Sequence, residues 1–413
     1  MTIQFEYLSF RLLAIIFVLS LLAIFISDLD GDERRFHMPN AKNISLDRVL
    51  NPDSEYSSAY TPLPYFLGNA ALKVFDSIIS LRLLNFVVVL GLAFFIYRVA
   101  SIYTTLPKTI TLIAMANPYI LRSAFLYRMS SYGLLLVVIG LYVLFTSNNR
   151  YKYAIVHFLW ASAILAQQWM LIIIPAHFLY ELMSKQFYDG QHFSIKRMAI
   201  SIFAKIITIG PFIVLVFFWT GFTHPNFQTH SVQVSMEHLT GVLANWGFLT
   251  VFIVLFSFLT KWKYQYYLLI YALPILFLSV PIHAEEHGLY QITGIPVQIA
   301  TQIESYLYLP YEITVTILAL LGLMACLVIL QEKATGLKLL LASTLIGFFV
   351  AFAVSAKLGS SHIFVSAPFL MLYFADEILK NKTVTRLIII QHFTLAVTYI
   401  IYSSLFVTNG LSL

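Results

Sequence analysis

An all-α, polytopic integral membrane protein is the fold class this sequence predicts, on three observations. Hydrophobic residues fill 60% of the 413 positions and charged ones only 11%, more apolar surface than a soluble core of this length hides. Mean hydropathy is +0.83. Apolar runs approaching the roughly 20 residues that a bilayer crossing needs recur along the whole chain.

Taken in order, these runs predict about thirteen spans. They lie at 8–27, 78–98, 107–124, 130–146, 152–165, 167–183, 197–220, 247–260, 264–282, 313–330, 337–356, 362–379 and 386–406. The first lacks a basic leader and a small-residue cleavage site, so it is expected to stay as a helix. With the N-terminus inside, fifteen of the 25 Lys and Arg residues fall on the cytoplasmic face, Lys261 and Lys263 among them. The acids gather opposite, as the positive-inside rule expects. The net charge of +6 is therefore an orientation effect, and no nucleic-acid surface is implied. The one cysteine, Cys326, falls mid-span and reads as packing.

The chain is expected to form a single domain, 1–413, elaborated on its outer face. Three segments there exceed a turn, at 28–77, 221–246 and 283–312, and work concentrates where loops are long. The first begins DLDGDERRFHMPN, directly after the first span, and ends AYTPLPYF. Thr61-Pro62-Leu63-Pro64 predicts a short surface helix over 63–75, because proline suits a first helical turn.

Several groups there could carry chemistry. Asp32-Glu33 is either a charge cluster that stops the helix at the interface or a carboxylate placed to take a proton from a hydroxyl. His37 offers a further polar contact. Arg122 and Arg128 either snorkel to the headgroups or hold a lipid phosphate or pyrophosphate. Gln167-Gln168, between two spans, needs partners at that depth: either neighbouring helices or a sugar or phosphate. Lys357 and His362 are interfacial residues or phosphate contacts. The run His283-Ala284-Glu285-Glu286-His287 departs from the H-E-x-x-H zinc pattern, so no metal ligands are assigned and no cofactor is expected. No Walker-type loop, G-x-G-x-x-G or G-x-S-x-G occurs.

Asp32-Glu33 after the first span, then Phe36-His37-Met38-Pro39, then Thr61-Pro62-Leu63-Pro64-Tyr65 together resemble the GT-C superfamily, membrane glycosyltransferases that use polyprenyl-phosphate sugars. Within it the pattern is most similar to the α-1,2-glucosyltransferases that add the last glucose to the dolichol-linked oligosaccharide. Those carry D-E-x-F-H-x-P, T-P-P-G and R-Q-T-N. This chain departs from them by one extra residue before Phe36, by T-P-L-P, and by Ala166-Gln167-Gln168-Trp169 without the arginine. The resemblance implies an inverting hexosyltransferase whose donor is a polyprenyl-phosphate sugar and whose acceptor is a glycan or lipid-linked glycan. It implies Asp32 as base, with Glu33 second, and His37, Arg122, Arg128, Lys357 and His362 around sugar and phosphate. Membrane lipids are the remaining partners. Compact length and short loops favour a bacterial inner membrane with the site on its periplasmic side. The alternatives are a transporter or flippase of lipid-linked glycans and an O-antigen-type polymerase. Inverted repeats with interrupted helices would mark the former, and a late Arg-rich loop the latter.

Overall fold

The structure is a computed structural model, and it describes residues 2–56, 58, 60–227, 236–255, 266–278, 280, 300–353 and 363–404. It is an all-α polytopic membrane protein. Among the described residues six helices are long and apolar enough to cross a bilayer, and shorter apolar helices lie between them. A two-stranded hairpin, Tyr188–Asp189 with His192–Phe193, accompanies the helices. The chain divides into two compact units, residues 1–228 with 389–413, and residues 229–388.

In the first unit α1 spans Thr2–Ile26, about 37 Å at 1.5 Å per residue. It stops where Asp28 and Asp30 replace the apolar run. A π-helical turn, Glu33–His37, follows, then the short helices α2 (Met38–Asn43) and α3 (Leu46–Leu50). The predicted surface helix is α4, Leu63–Val74, with Pro64 in its first turn. Ser77 caps α5, Ile78–Ala100, by accepting from Ile79 N at 3.2 Å.

The expected span 107–124 is instead two helices, α6 (Pro107–Met115) and α7 (Pro118–Phe125). Pro118 disfavours helical geometry at Asn117, and the break turns the chain. Next come α8 (Ser130–Thr146) and α9 (Lys152–Ala166). Gln167 is extended, with φ −158° and ψ 115°, and Gln168–Ile172 is 3₁₀. The expected span at 167–183 is thus helical in its later part, α10, Ile173–Met183. The last long helix before residue 229 is α11, Ile195–Trp219.

The second unit is built on α12 (Met236–Ile253), α13 (Tyr266–Leu278), α14 (Tyr311–Gln331) and α15 (Gly336–Ala353). The start of α12 corrects the expected span 247–260, since part of the 221–246 loop is itself helical. Gly247 on α12 and Gly322 on α14 meet backbone to backbone. A Cβ on Gly247 would lie 1.8 Å from the Leu318 carbonyl oxygen, and one on Gly322 1.9 Å from that of Leu243. Small residues permit such approach where lipid offers no hydrophobic drive between helices. Leu243, Ala244, Val315 and Ala319 extend the seam as buried core. Gly247→Ala is expected to destabilise this unit by about 1–3 kcal/mol, because rigid backbone has no rotamer to yield. A Gly247→Ala protein that melts in detergent at the wild-type temperature would contradict this packing.

Candidate active site

The acidic turn after α1 is fixed from beneath by Arg82, in the first turns of α5. This side chain is 2% exposed, and all five of its N–H donors are used. Nε donates to Glu33 Oε1 (3.0 Å) and Nη2 to Glu33 Oε2 (2.6 Å). Nη1 donates to the carbonyls of Ile24 (3.0 Å) and Ser27 (2.7 Å), and Nη2 also to Asp28 O (2.7 Å). One guanidinium thus collects the orphan carbonyls at the end of α1, which a helix terminus leaves unpaired, and the carboxylate beyond them.

Glu33 is equally committed. Besides Arg82, its Oε1 accepts from Tyr127 N (2.6 Å) and its Oε2 from Asp30 N (3.1 Å). It is fully buried. Glu33 was expected as the second base; each of its oxygens already accepts two hydrogen bonds. Its place is to hold the turn.

One helical turn along α5, Asn85 does the same for the segment after α7. Its Nδ2 donates to Leu126 O (2.9 Å) and Arg128 O (2.7 Å), while its Oδ1 accepts from Tyr132 Oη (2.6 Å). These bonds bring Arg128 to the acidic turn. Arg128 donates from Nη2 to Asp30 and from Nη1 to Asp32. Arg122 Nη2 donates to the same Asp30 oxygen at 3.1 Å. Burial pulls Arg128 down to about 10, so it stays charged at neutral pH.

Access separates the four side chains. Asp30 is 11% exposed and Arg128 10%, whereas Arg122 is 28% and Asp32 50% exposed. Asp30 is the counter-ion between two arginines. Asp32 has one ionic partner and an open side. Arg122 spends one donor on Asp30 and is partly exposed.

His37 lies beside this group. Its ring shares a hydrogen bond of 2.9 Å from Nδ1 to Tyr65 Oη, which in turn bonds Ser58 Oγ at 2.8 Å. Burial, with the charge of Arg122, lowers His37 to about 3, so the imidazole is neutral. Its Nε2 is buried without a hydrogen-bond partner among the described residues. Tyr60, Tyr65 and Tyr127 surround the ring with centroids 5.9, 6.0 and 6.4 Å away. Tyr127 Oη donates to Pro64 O (2.9 Å) across Gly68, where a Cβ would stand 2.0 Å from that hydroxyl. The far end of the loop reaches α9: Thr61 Oγ1 donates to Ile164 O at 2.9 Å.

That contact sets the loop next to Gln167, which follows the end of α9. Gln167 is fully buried, and neither its amide oxygen nor its nitrogen has a hydrogen-bond partner among the described residues. Gln168 opens the 3₁₀ turn, half-buried. Lys357 and His362 lie outside the described residues, as do His230, His283, Glu285, Glu286 and His287. His224, from the second loop, is buried against the first, its Nε2 3.2 Å from Asn51 O. Among the described residues no three His, Cys, Asp or Glu side chains group as a metal site would.

Arg82, Asn85 and Asp30 were not singled out as site residues from the sequence. A signal existed for the first two: Arg82 and Asn85 are three apart in an otherwise apolar span, where polar side chains face protein. A second buried polar group lies inside the helices, and in it both ring nitrogens of His177 are without a hydrogen-bond partner among the described residues. Lys205 Nζ and Ser201 Oγ (2.6 Å) both donate to Glu181, and His157 Nδ1 bonds Thr208 Oγ1 at 2.8 Å. It ties α10 to α11 and α9 to α11.

No protein-family model matches this chain, and no curated protein matches it. Among solved structures it is similar to the crystal structure of ArnT from Cupriavidus metallidurans in the apo state, at 16% identity and a TM-score of 0.40, over 91% of this chain and 77% of that one. The chemistry of the site rests on its own residues.

Proposed function

We propose that this protein is a membrane glycosyltransferase that moves a hexose from a polyprenyl-phosphate donor to a glycan or lipid-linked glycan acceptor, with inversion, on the periplasmic side of a bacterial inner membrane. The observation that carries this reading is one pair of side chains. Asp32, half-exposed, and Arg122, with unused donors, converge on one turn at the end of a membrane-length helix. A carboxylate and a cation there can reach an aqueous hydroxyl and a lipid-anchored phosphate together. The GT-C resemblance of the loop motifs points the same way.

In this reading the acceptor O–H gives its proton to Asp32 as its oxygen attacks the anomeric carbon. The bond from that carbon to the phosphate oxygen breaks, and its electron pair leaves with the phosphate. Arg122, assisted by Arg128, offsets the charge that grows there. His37 Nε2 and the Gln167 amide, neutral and unspent, suit sugar hydroxyls, with Gln168 beside them. Asp30, whose one carboxylate oxygen accepts from both, holds the two arginines together and oriented.

The test is transfer by the purified full chain in detergent, offered a panel of labelled polyprenyl-phosphate sugars and, separately, nucleotide sugars. Product from the lipid phosphate alone is expected. Turnover with a nucleotide sugar as sole donor would overturn the assignment of the donor.

A further inference from the structure

The Gln167 side chain is fully buried, and both of its amide atoms lack a hydrogen-bond partner among the described residues. Its backbone, by contrast, is paired: the N–H donates to Ala163 O (2.8 Å), and the C=O accepts from Met170 N (2.9 Å). We propose that Gln167 selects the donor sugar, its amide reading two neighbouring free hydroxyls of the hexose. This inference rests on the transfer reaction proposed above and names the class of sugar that the site takes.

Two segments place Gln167 beside the acidic turn. On one side, Thr61 Oγ1 donates to the carbonyl of Ile164, three residues before Gln167, while the adjacent Tyr60 holds its ring 5.9 Å from that of His37. On the other, Gly133 lies in the opening turn of α8, five residues beyond Arg128. A Cβ on Gly133 would stand 3.1 Å from Gln167 Cβ and 2.8 Å from Met170 Cγ. Gln167 and Met170 thus fill the space this glycine leaves, and both are unbranched side chains with many rotamers. A buried glutamine ordinarily gives up hydrogen bonds when it turns to a ligand. This one gives up none, and an unpaired buried amide carries a penalty that a partner relieves. The amide offers two N–H donors and a carbonyl acceptor. A hydroxyl both donates and accepts, so two adjacent sugar hydroxyls match both halves of the amide. A carboxylate would face the carbonyl oxygen and an ammonium the N–H groups, so a charged substituent fits less well than a neutral diol.

The experiment compares wild type with Gln167→Met, each as the full chain in detergent. The probes are polyprenyl-phosphate glucose, mannose and galactose, with their monodeoxy analogues. For the hexose that wild type uses best, loss of either of two neighbouring hydroxyls should lower kcat/KM roughly 5- to 150-fold, the value of pairing a buried unsatisfied group. Gln167→Met should use parent and deoxy donors alike at those two positions and keep its discrimination at the others. A Gln167→Met protein with wild-type discrimination throughout would overturn the proposal. Thermal melting without sugar is a second readout, independent of turnover. Methionine removes the unpaired amide at similar volume, so Gln167→Met should melt at or above the wild-type temperature. A clearly lower melting temperature would show that the amide serves the fold, and would overturn the proposal as well. Failure of the underlying reaction looks different: wild type would then transfer sugar from none of the lipid phosphates, and reaction and inference would fall together.

Discussion

Asp32→Asn is expected to slow glycosyl transfer roughly 100- to 10,000-fold, the usual loss when a general base is removed, while donor binding changes far less. The asparagine keeps the shape of the side chain and can still face Arg128, so the turn should hold. What disappears is the oxygen that accepts the proton. The acids of the turn differ in what they can do. Glu33 accepts four hydrogen bonds and is sealed. Asp30 lies between Arg122 and Arg128 at 11% exposure. Asp32 alone of the three is half-exposed. Asp30→Asn should therefore act mainly on donor affinity, by releasing two arginines from their common counter-ion. Asp53→Asn, on the exposed part of the same loop, is the neutral comparison. Single-turnover rates at saturating donor separate these outcomes. Near-wild-type turnover by Asp32→Asn would take the proton transfer away from this carboxylate.

The helical architecture was legible because its cause is local. Long apolar runs give both ends of α5 and α14 within two residues, and the end of α1 within one though α1 starts six residues earlier than expected, and Thr61-Pro62-Leu63-Pro64 announces α4. The acidic turn was visible as charge where hydrocarbon ends. The break at Asn117-Pro118 was written in the sequence too, but the apolar run on either side masked it, so one span was expected where two short helices form. The division of labour within Asp30, Asp32 and Glu33 was not legible. Adjacent carboxylates look alike in sequence, and their roles are set by partners far along the chain. Arg82 is 49 residues from Glu33, the Tyr127 amide 94, and Arg122 is 92 from Asp30. Arg122 and Arg128 were suspected as an anion site. Their meeting with the turn needed Asn85, whose three hydrogen bonds no short motif reveals.

Arg82→Met is expected to cost about 3–5 kcal/mol, the range for removing one partner of a buried ion pair. That is a large part of the 5–15 kcal/mol by which folded proteins are stable. The methionine would fill much of the volume but donate nothing. Glu33 would remain as an uncompensated buried carboxylate, and the carbonyls of Ile24, Ser27 and Asp28 would lose their donor. Arg82→Lys keeps the charge but gives up the planar fork that reaches both Glu33 oxygens, so its loss should be intermediate. The decisive variant is the double one. Arg82→Met with Glu33→Gln removes the orphaned charge, and it should melt well above Arg82→Met alone. Its turnover should nevertheless stay low, because nothing then fixes the turn that carries Asp32 against Arg128. Thermal melting in detergent and single-turnover rates on the same preparations test both halves. An Arg82→Met protein as stable as wild type, or a double variant that recovers full turnover, would show that the clamp beneath the turn does not position its chemistry.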